Sequence, residues 1–357
     1  MKTTIRTGTL VAVLLVTTSL APAFAAEVFN RVATFNVVDN LPADADPAEG
    51  TVSEIIAATE DGMTLVYTDS PGKRVGIVDL ADAAAPKAGG VVGLEGEPTS
   101  VVIVGGKALV GVVTSESKDN PSGHLAIIDI ASKSIDSTCD LGGQPDSLAP
   151  SPDKTFLAIA IENERDEEVN DGAIPQLPGG NLTVLALANG EADCATKKIV
   201  DLTGIAEVAP EDPETEYVDI NGLNEAVVTL QENNHIAIVD LATGVVTGHF
   251  TAGTVSLNGI DMERDGVIDL SGSSVDVPRE PDTVQWIDDN RFVTADEGDL
   301  NGGSRTFTIF NKDGTVAYDS GTSWEYMTVR LGHYPEHRAA KGMSQRVRKS
   351  RHLARTG

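Results

Sequence analysis

The sequence predicts an all-β fold, a β-propeller of four-stranded blades with about five blades present and the ring incomplete. Two observations predict it. Short β-rich anchors recur as "VGIVDLAD", "LAIIDIAS", "LTVLALAN", "IAIVDLAT" and "FTIFNKDG", and counted from Asp79, Asp129, Leu185, Asp240 and Phe310 they lie 50, 56, 55 and 70 residues apart. Each anchor is preceded by a further pair of strands and followed by a turn and one more strand, so every unit carries four strands joined by Asp-Gly, Gly-Gly, Pro-Asp-Lys or Asp-Asn turns. Four-stranded units at a period near 50 residues describe propeller blades, whereas a pair of β-sandwiches does not repeat one unit five times.

The first 25 residues read as a secretory signal peptide. Lys2 and Arg6 form a positive n-region, Leu10 to Leu20 an apolar run, and Ala23-Phe24-Ala25 a small-x-small cleavage site. The run is too short to anchor in a membrane and no later stretch approaches spanning length, so an exported protein, periplasmic or extracellular, is expected. Residues 26–342 then form the propeller domain, with a first strand over Val28 to Val38 and blades over 50–95, 97–142, 144–203, 217–253 and 281–321. In many propellers such an extra strand completes the last blade.

The balance of 26 Lys and Arg against 54 Asp and Glu argues against nucleic acid and anionic membrane surfaces as partners. It fits solubility or the recruitment of cations. Aromatic residues make up 4%, so the core is expected to be aliphatic. Cys139 and Cys194 occupy similar late positions in the second and third blades; either they pair, tying neighbouring blades in an oxidising compartment, or they remain two thiols.

Three long insertions, 162–180, 204–221 and 252–280, interrupt the repeat, and long loops on a rigid scaffold are where function usually sits. The last contains "DMERDGVIDLSG", in which Asp261, Glu263, Asp265 and Asp269 follow the spacing of an EF-hand-like loop with Gly266 at the turn, and bound Ca2+ is the cofactor that pattern implies. The bidentate acid at its twelfth position is replaced by Gly272, and an ordinary Asp-Gly turn is the alternative. Glu225, Glu280, Asp282, Asp296, Glu297 and Asp299 fall near strand ends; Glu225, Glu280, Asp282 and Glu297 are the candidates for acid–base or metal-assisted chemistry, against a role as surface acids. No nucleophile elbow, zinc-protease helix, Walker loop or dinucleotide fingerprint is present.

The blocks "NGLNEAVVTLQENNHIAIVDLATG", "REPDTVQWIDDNRFVTADEGD" and "SRTFTIFNKDGTVAYDSG" resemble the exported bacterial propellers of the choice-of-anchor I type. Members of that family often carry the label alkaline phosphatase and look related to esterase-like phytase domains. The resemblance spans residues 30 to 342 and implies an exported propeller acting on small phosphate esters. It supplies no catalytic set. A non-catalytic propeller that binds or displays cell-surface components, or an inactive fragment, are the alternatives.

The ending departs from this pattern. From Arg338 to Gly357 there are seven Lys or Arg and no Asp or Glu. The family continues after the Gly with a stretch like Asn-Glu-Pro-Glu-Gly, and codons for that stretch read one base out of frame give Met-Ser-Gln-Arg, the residues found at 343–346. Residues 343–357 are therefore expected to be an out-of-frame basic tail on a truncated propeller, with a solvated basic tail as the alternative.

Overall fold

The computed structural model describes residues 30–43, 45, 50–166, 169–188, 190–263, 265–298, 300–301 and 304–334. Residues 1–32 and residues 33–357 are separate compact units. The described residues of the first, 30–32, carry no helix or strand. The signal-peptide reading, Asp299 and the basic tail lie outside the described residues.

Five four-stranded antiparallel sheets follow one another, each built as an up-and-down meander, and they are not closed into a ring. The first holds β1 (Ile56–Ala58), β2 (Thr64–Asp69), β3 (Arg74–Asp79) and β4 (Lys87–Gly93). The second holds β5 (Glu97–Val104), β6 (Lys107–Val113), β7 (Gly123–Asp129) and β8 (Ser134–Asp140). The third holds β9 (Pro145–Pro150), β10 (Phe156–Ile161), β11 (Asn181–Ala188) and β12 (Glu191–Val200). The fourth holds β13 (Thr215–Ile220), β14 (Glu225–Leu230), β15 (His235–Asp240) and β16 (Val245–Thr251). A two-stranded hairpin, β17 (Thr254–Ile260) and β18 (Gly272–Pro278), precedes the fifth, β19 (Pro281–Asp288), β20 (Arg291–Asp296), β21 (Thr306–Asn311) and β22 (Val316–Asp319). Helix α1 (Ser323–Leu331) closes the described chain.

The sheets stack face to face, and this explains why the middle strands read as continuous apolar runs rather than alternating ones. In "FLAIAI" Leu157, Ile159 and Ile161 pack against the second sheet with Leu109, Leu125 and Ile127. Ala158 and Ala160, on the opposite face, pack against Val228, Ala237 and Val239 of the fourth. Small side chains on one face and large ones on the other let neighbouring sheets interlock. Complete burial of a Leu or Ile side chain contributes about 1.5–3 kcal/mol, and Leu157, Ile159 and Ile161 are each fully buried.

Three of the five anchors, in the first, second and fourth sheets, end in Asp because the third strand turns there. Asp240 Oδ1 accepts from Thr243 N and Oγ1 at 2.8 and 2.7 Å, while Gly244, at φ +74°, donates its N–H to Asp240 O at 2.7 Å. Asp129 and Ser132 repeat the arrangement, with Lys133 in the left-handed position. Cys139 of β8 and Cys194 of β12 form a disulfide between the last strands of the second and third sheets, with Cα atoms 5.4 Å apart.

Residues 30–36 carry no strand and Val37–Asn40 is a 3-10 turn, which corrects the expected strand over 28–38 within its described part. The reason is Asn40. Its buried amide donates to Ile77 O and Tyr67 Oη at 3.0 and 3.1 Å and accepts from Gly90 N at 2.7 Å, filling the register shift between β3 and β4. The segment thus plugs the first sheet instead of extending one.

Candidate metal centre

The first strands of the last three sheets begin in the same register. Gln144 precedes β9 and Asp146 is its second residue; Glu214 precedes β13 and Glu216 is its second; Glu280 precedes β19 and Asp282 is its second. The chain leaving the second strand closes each pair by one backbone bond. Glu162 N donates to Gln144 O at 3.0 Å, Gln231 N to Glu214 O at 3.2 Å, and Glu297 N to Glu280 O at 3.2 Å. Three polar positions therefore recur at one rim of three successive sheets. Each of these first strands carries a register shift just inside this end, at 145–148, 215–218 and 281–283, so strict alternation of faces is broken where the acids sit.

At this rim Asp146, Glu162 and Glu216 converge, with one carboxylate oxygen from each within 4.8 Å of the others. Among the described residues this is the one group of three or more His, Cys, Asp or Glu side chains so close. Glu162 is buried, and Glu216 Oε2 is shielded from solvent with no hydrogen-bond partner. Burial, then the charges of Glu162, Asp146, Asp282 and Glu214, pushes the Glu216 carboxyl well above the usual range. Glu214 is raised as well, by burial and by Glu232. Arg165 opposes that rise: its Nε meets Asp212 Oδ2 at 3.0 Å, its Nη1 contacts Glu232 and lies 3.9 Å from Glu214. The arginine thus ties the 162–180 insertion to the 204–214 loop rather than neutralising the triad. Three converging carboxylate oxygens, one of them, Glu216 Oε2, shielded and unsatisfied, form a donor set for a hard divalent cation.

The acids singled out by sequence are distributed differently. Asp282 stands at the rim, buried, and acts on both Glu216 and Tyr217. Glu280 and Glu297 occupy the equivalent positions of the fifth sheet, and Glu280 accepts from Asn301 N and Nδ2 at 3.0 and 2.8 Å. Asp296 is surrounded by the hydroxyls of Thr294, Thr306 and Thr308, and burial lifts its carboxyl to about 6. Glu225 opens β14, at the opposite end of that strand from Gln231, and is bound by Lys312 Nζ at 2.6 Å and Asn221 Nδ2 at 2.9 Å.

The 261–272 loop does not gather its carboxylates into one group. Asp261 is buried, its N–H donating to Glu325 Oε1 and its carbonyl accepting from Arg305 Nη1 at 2.6 Å, while Asp265 Oδ1 takes the Val267 N–H at 2.9 Å. Glu263, Asp265 and Asp269 are exposed. With Gly272 starting β18, the loop ends as a strand rather than in a liganding acid. Asp146, Glu162 and Glu216 were not among the sequence candidates. The signal that finds two of them is the repeat itself, because aligning "GQPDS", "PETEY" and "REPDT" superposes Asp146, Glu216 and Asp282.

A succession of stacked four-stranded meanders with acids at one rim defines a propeller-like, all-β domain. The chain belongs to the choice-of-anchor I domain family, whose model matches residues 54–302. That membership fits an exported or surface protein. No curated protein matches the chain by sequence. No helix among the described residues is long and apolar enough to cross a membrane.

Proposed function

We propose that this protein holds a hard divalent cation, calcium by the chemistry of its donors, between Asp146, Glu162 and Glu216, and uses it to hydrolyse small phosphate esters. The observation that carries the reading is the convergence of three carboxylates with Glu216 Oε2 buried and unsatisfied. Leaving such an oxygen without a partner costs stability, and a cation offsets that cost. An acidic rim repels a phosphate unless a cation lies between them, so the cation is also what allows an anionic substrate to approach. Bound there, it supplies Lewis-acid polarisation of the phosphoryl group.

A non-catalytic propeller that binds or displays is the second reading. It is favoured by the surroundings of Glu216, since the charged groups that act on it most are all acids. Calorimetric titration with calcium and hydrolysis of p-nitrophenyl phosphate with and without calcium separate the two. Calcium binding lost in Asp146→Asn and Glu216→Gln, with calcium-dependent hydrolysis, supports the hydrolase. Binding without turnover supports the binding propeller, and wild-type protein that takes up no calcium refutes both uses of the triad.

A further inference from the structure

Two histidines meet on the outer half of the fourth sheet. His235 opens β15 and His249 lies in β16. The register sets Thr251 opposite His235 and His249 opposite Ala237, so the two histidines are diagonal neighbours on one face of adjacent strands. His235 Nε2 lies 3.1 Å from His249 Nδ1, with the ring planes tilted by 36°. His235 is only 4% exposed, whereas His249 opens to solvent. One ring is thus held in place by its surroundings and the other gives access. Burial, and then His249, depress the His235 pKa to about 4, so at neutral pH this ring is uncharged, the form in which imidazole binds metal.

The fold does not require this pair. Aligned on Asp79, Asp129 and Asp240, the same two positions hold Arg74 and Val91 in the first sheet, and His124 and Thr138 in the second. All three sheets carry the same register shift between their third and fourth strands, so the positions are equivalent in the backbone as well. The first sheet fills the opening position with an ion pair, Arg74 to Asp69 at 2.7 Å. The second keeps a histidine there and sets a threonine where the fourth has its second imidazole. A four-stranded blade is therefore built without two facing rings.

We propose that His235 Nε2 and His249 Nδ1 form a two-nitrogen site for a borderline divalent transition ion, Cu2+ or Zn2+. The site does not rest on the hydrolase reading above. Two nitrogens bound to one ion at about 2.0–2.1 Å stand about 2.9 Å apart at a right angle and about 3.3 Å apart at the tetrahedral angle. The 3.1 Å between these nitrogens falls between the two values. The ion enters when the exposed His249 ring turns so that both lone pairs meet at one point. The nitrogen that donated in the hydrogen bond passes its proton to the other nitrogen of its ring, so both imidazoles stay neutral. Water completes the coordination. Among the described residues no third His, Cys, Asp or Glu closes on the pair, and a donor set of imidazole alone selects Cu2+ or Zn2+ over the calcium and magnesium that carboxylates favour.

Titration of the full chain with Cu2+ in excess calcium, followed by calorimetry and electron paramagnetic resonance, tests this. One equivalent binds the wild type, and its spectrum shows hyperfine splitting from two nitrogens. His249→Ala, at an exposed position, weakens binding about a hundredfold, the gain that joining two donors gives, without changing Tm. His333→Ala, which removes an exposed histidine outside the pair, and Glu216→Gln both leave the affinity unchanged. Zn2+, which is diamagnetic, shifts the His235 and His249 ring resonances of the wild type in NMR spectra. Absence of Cu2+ binding, binding unchanged in His249→Ala, a spectrum with oxygen donors alone, or binding lost in Glu216→Gln overturns the site. So does Zn2+ that leaves both rings unshifted.

Discussion

Replacing Glu216 by Gln separates the cation site from the fold, because the side chain keeps its shape and loses its charge. One Glu216 oxygen lies within 4.8 Å of oxygens of Asp146 and Glu162. At that spacing two unit charges repel by about 3.5 kcal/mol at an effective dielectric of about 20. Without a cation the wild type escapes part of this repulsion by protonation, which is why burial and the neighbouring acids raise the Glu216 carboxyl. A carboxyl raised on folding contributes most at low pH, and its contribution is lost as pH climbs from the ordinary Glu value near 4.5 toward the raised folded value. Gln suffers no such loss. In a chelator the variant and wild type therefore unfold at similar temperatures near pH 5, and the variant is the more stable at pH 8.

Calcium reverses the order. A ligand at about one hundred times its Kd stabilises the folded chain by about 2.7 kcal/mol, and at about 2–4 °C per kcal/mol for a large domain this raises Tm by about 5–10 °C. Glu216→Gln loses most of that rise. Calorimetric melting of both proteins at the two pH values, in chelator and in calcium, checks every limb. A variant that matches the wild type in chelator at pH 8 and keeps the full calcium response refutes the convergence of these three acids on one ion.

Four further outcomes follow from other parts of the molecule. Cys139 and Cys194 close a loop with a sequence separation of 55, for which chain entropy predicts about 4 kcal/mol; the Cys139→Ser, Cys194→Ser double variant should lower the denaturant midpoint accordingly. His235, buried and 3.1 Å from His249, has its pKa depressed to about 4 by burial and by that neighbour. The stability this gives is present above about 6.5 and is lost as pH falls toward 4, so an NMR titration should show its ring protonating far below an ordinary histidine. Glu325→Ala strips the buried Arg305 of its ion pair at 3.2 Å and should cost about 3–5 kcal/mol, seen as a lower melting temperature. Asn40→Ala removes four hydrogen bonds, two of them buried, and should cost about 1–3 kcal/mol, read from the urea midpoint; a neutral result removes the plug as an explanation for the missing first strand.

The blades were legible because their signal is local and repeated. Turn chemistry such as Asp240-Thr243-Gly244 sets the hairpins, and apolar runs such as Phe156–Ile161 mark strands buried on both faces. The spacing of the anchors then counts the sheets. The described part of the strand expected over 28–38 was misread because the role of this segment depends on one long-range side chain: nothing near Asn40 in sequence announces Gly90 as its partner. The site was only half legible for the same reason. Asp282 stood out beside a turn, whereas Asp146 and Glu216 acquire meaning only when sheets 3 and 4 are brought side by side, 70 residues apart in the chain. The 261–272 loop has the composition of a cation loop without the return of a final acid.

The second sheet supplies an internal control on whether the rim acids belong to the fold or to a ligand. Its first strand opens with Glu97-Pro98-Thr99, as the third sheet opens with Gln144-Pro145-Asp146, and Pro98 pairs Val112 as Pro145 pairs Ile161. Thr99 and Val113 therefore stand where the third sheet has Asp146 and Glu162. Both are buried and neither is ionised; Thr99 instead donates its hydroxyl across to Pro145 O and joins the two sheets. A blade of this architecture is thus complete without acids at either position, and a hydroxyl there strengthens the contact between sheets. The third and fourth sheets instead bring three mutually repelling carboxylates together, with Glu216 Oε2 unsatisfied. Like charges held together in a largely buried place lower stability, and stability given up at one place in a repeat whose neighbour does without it is the mark of a site built for something the chain binds.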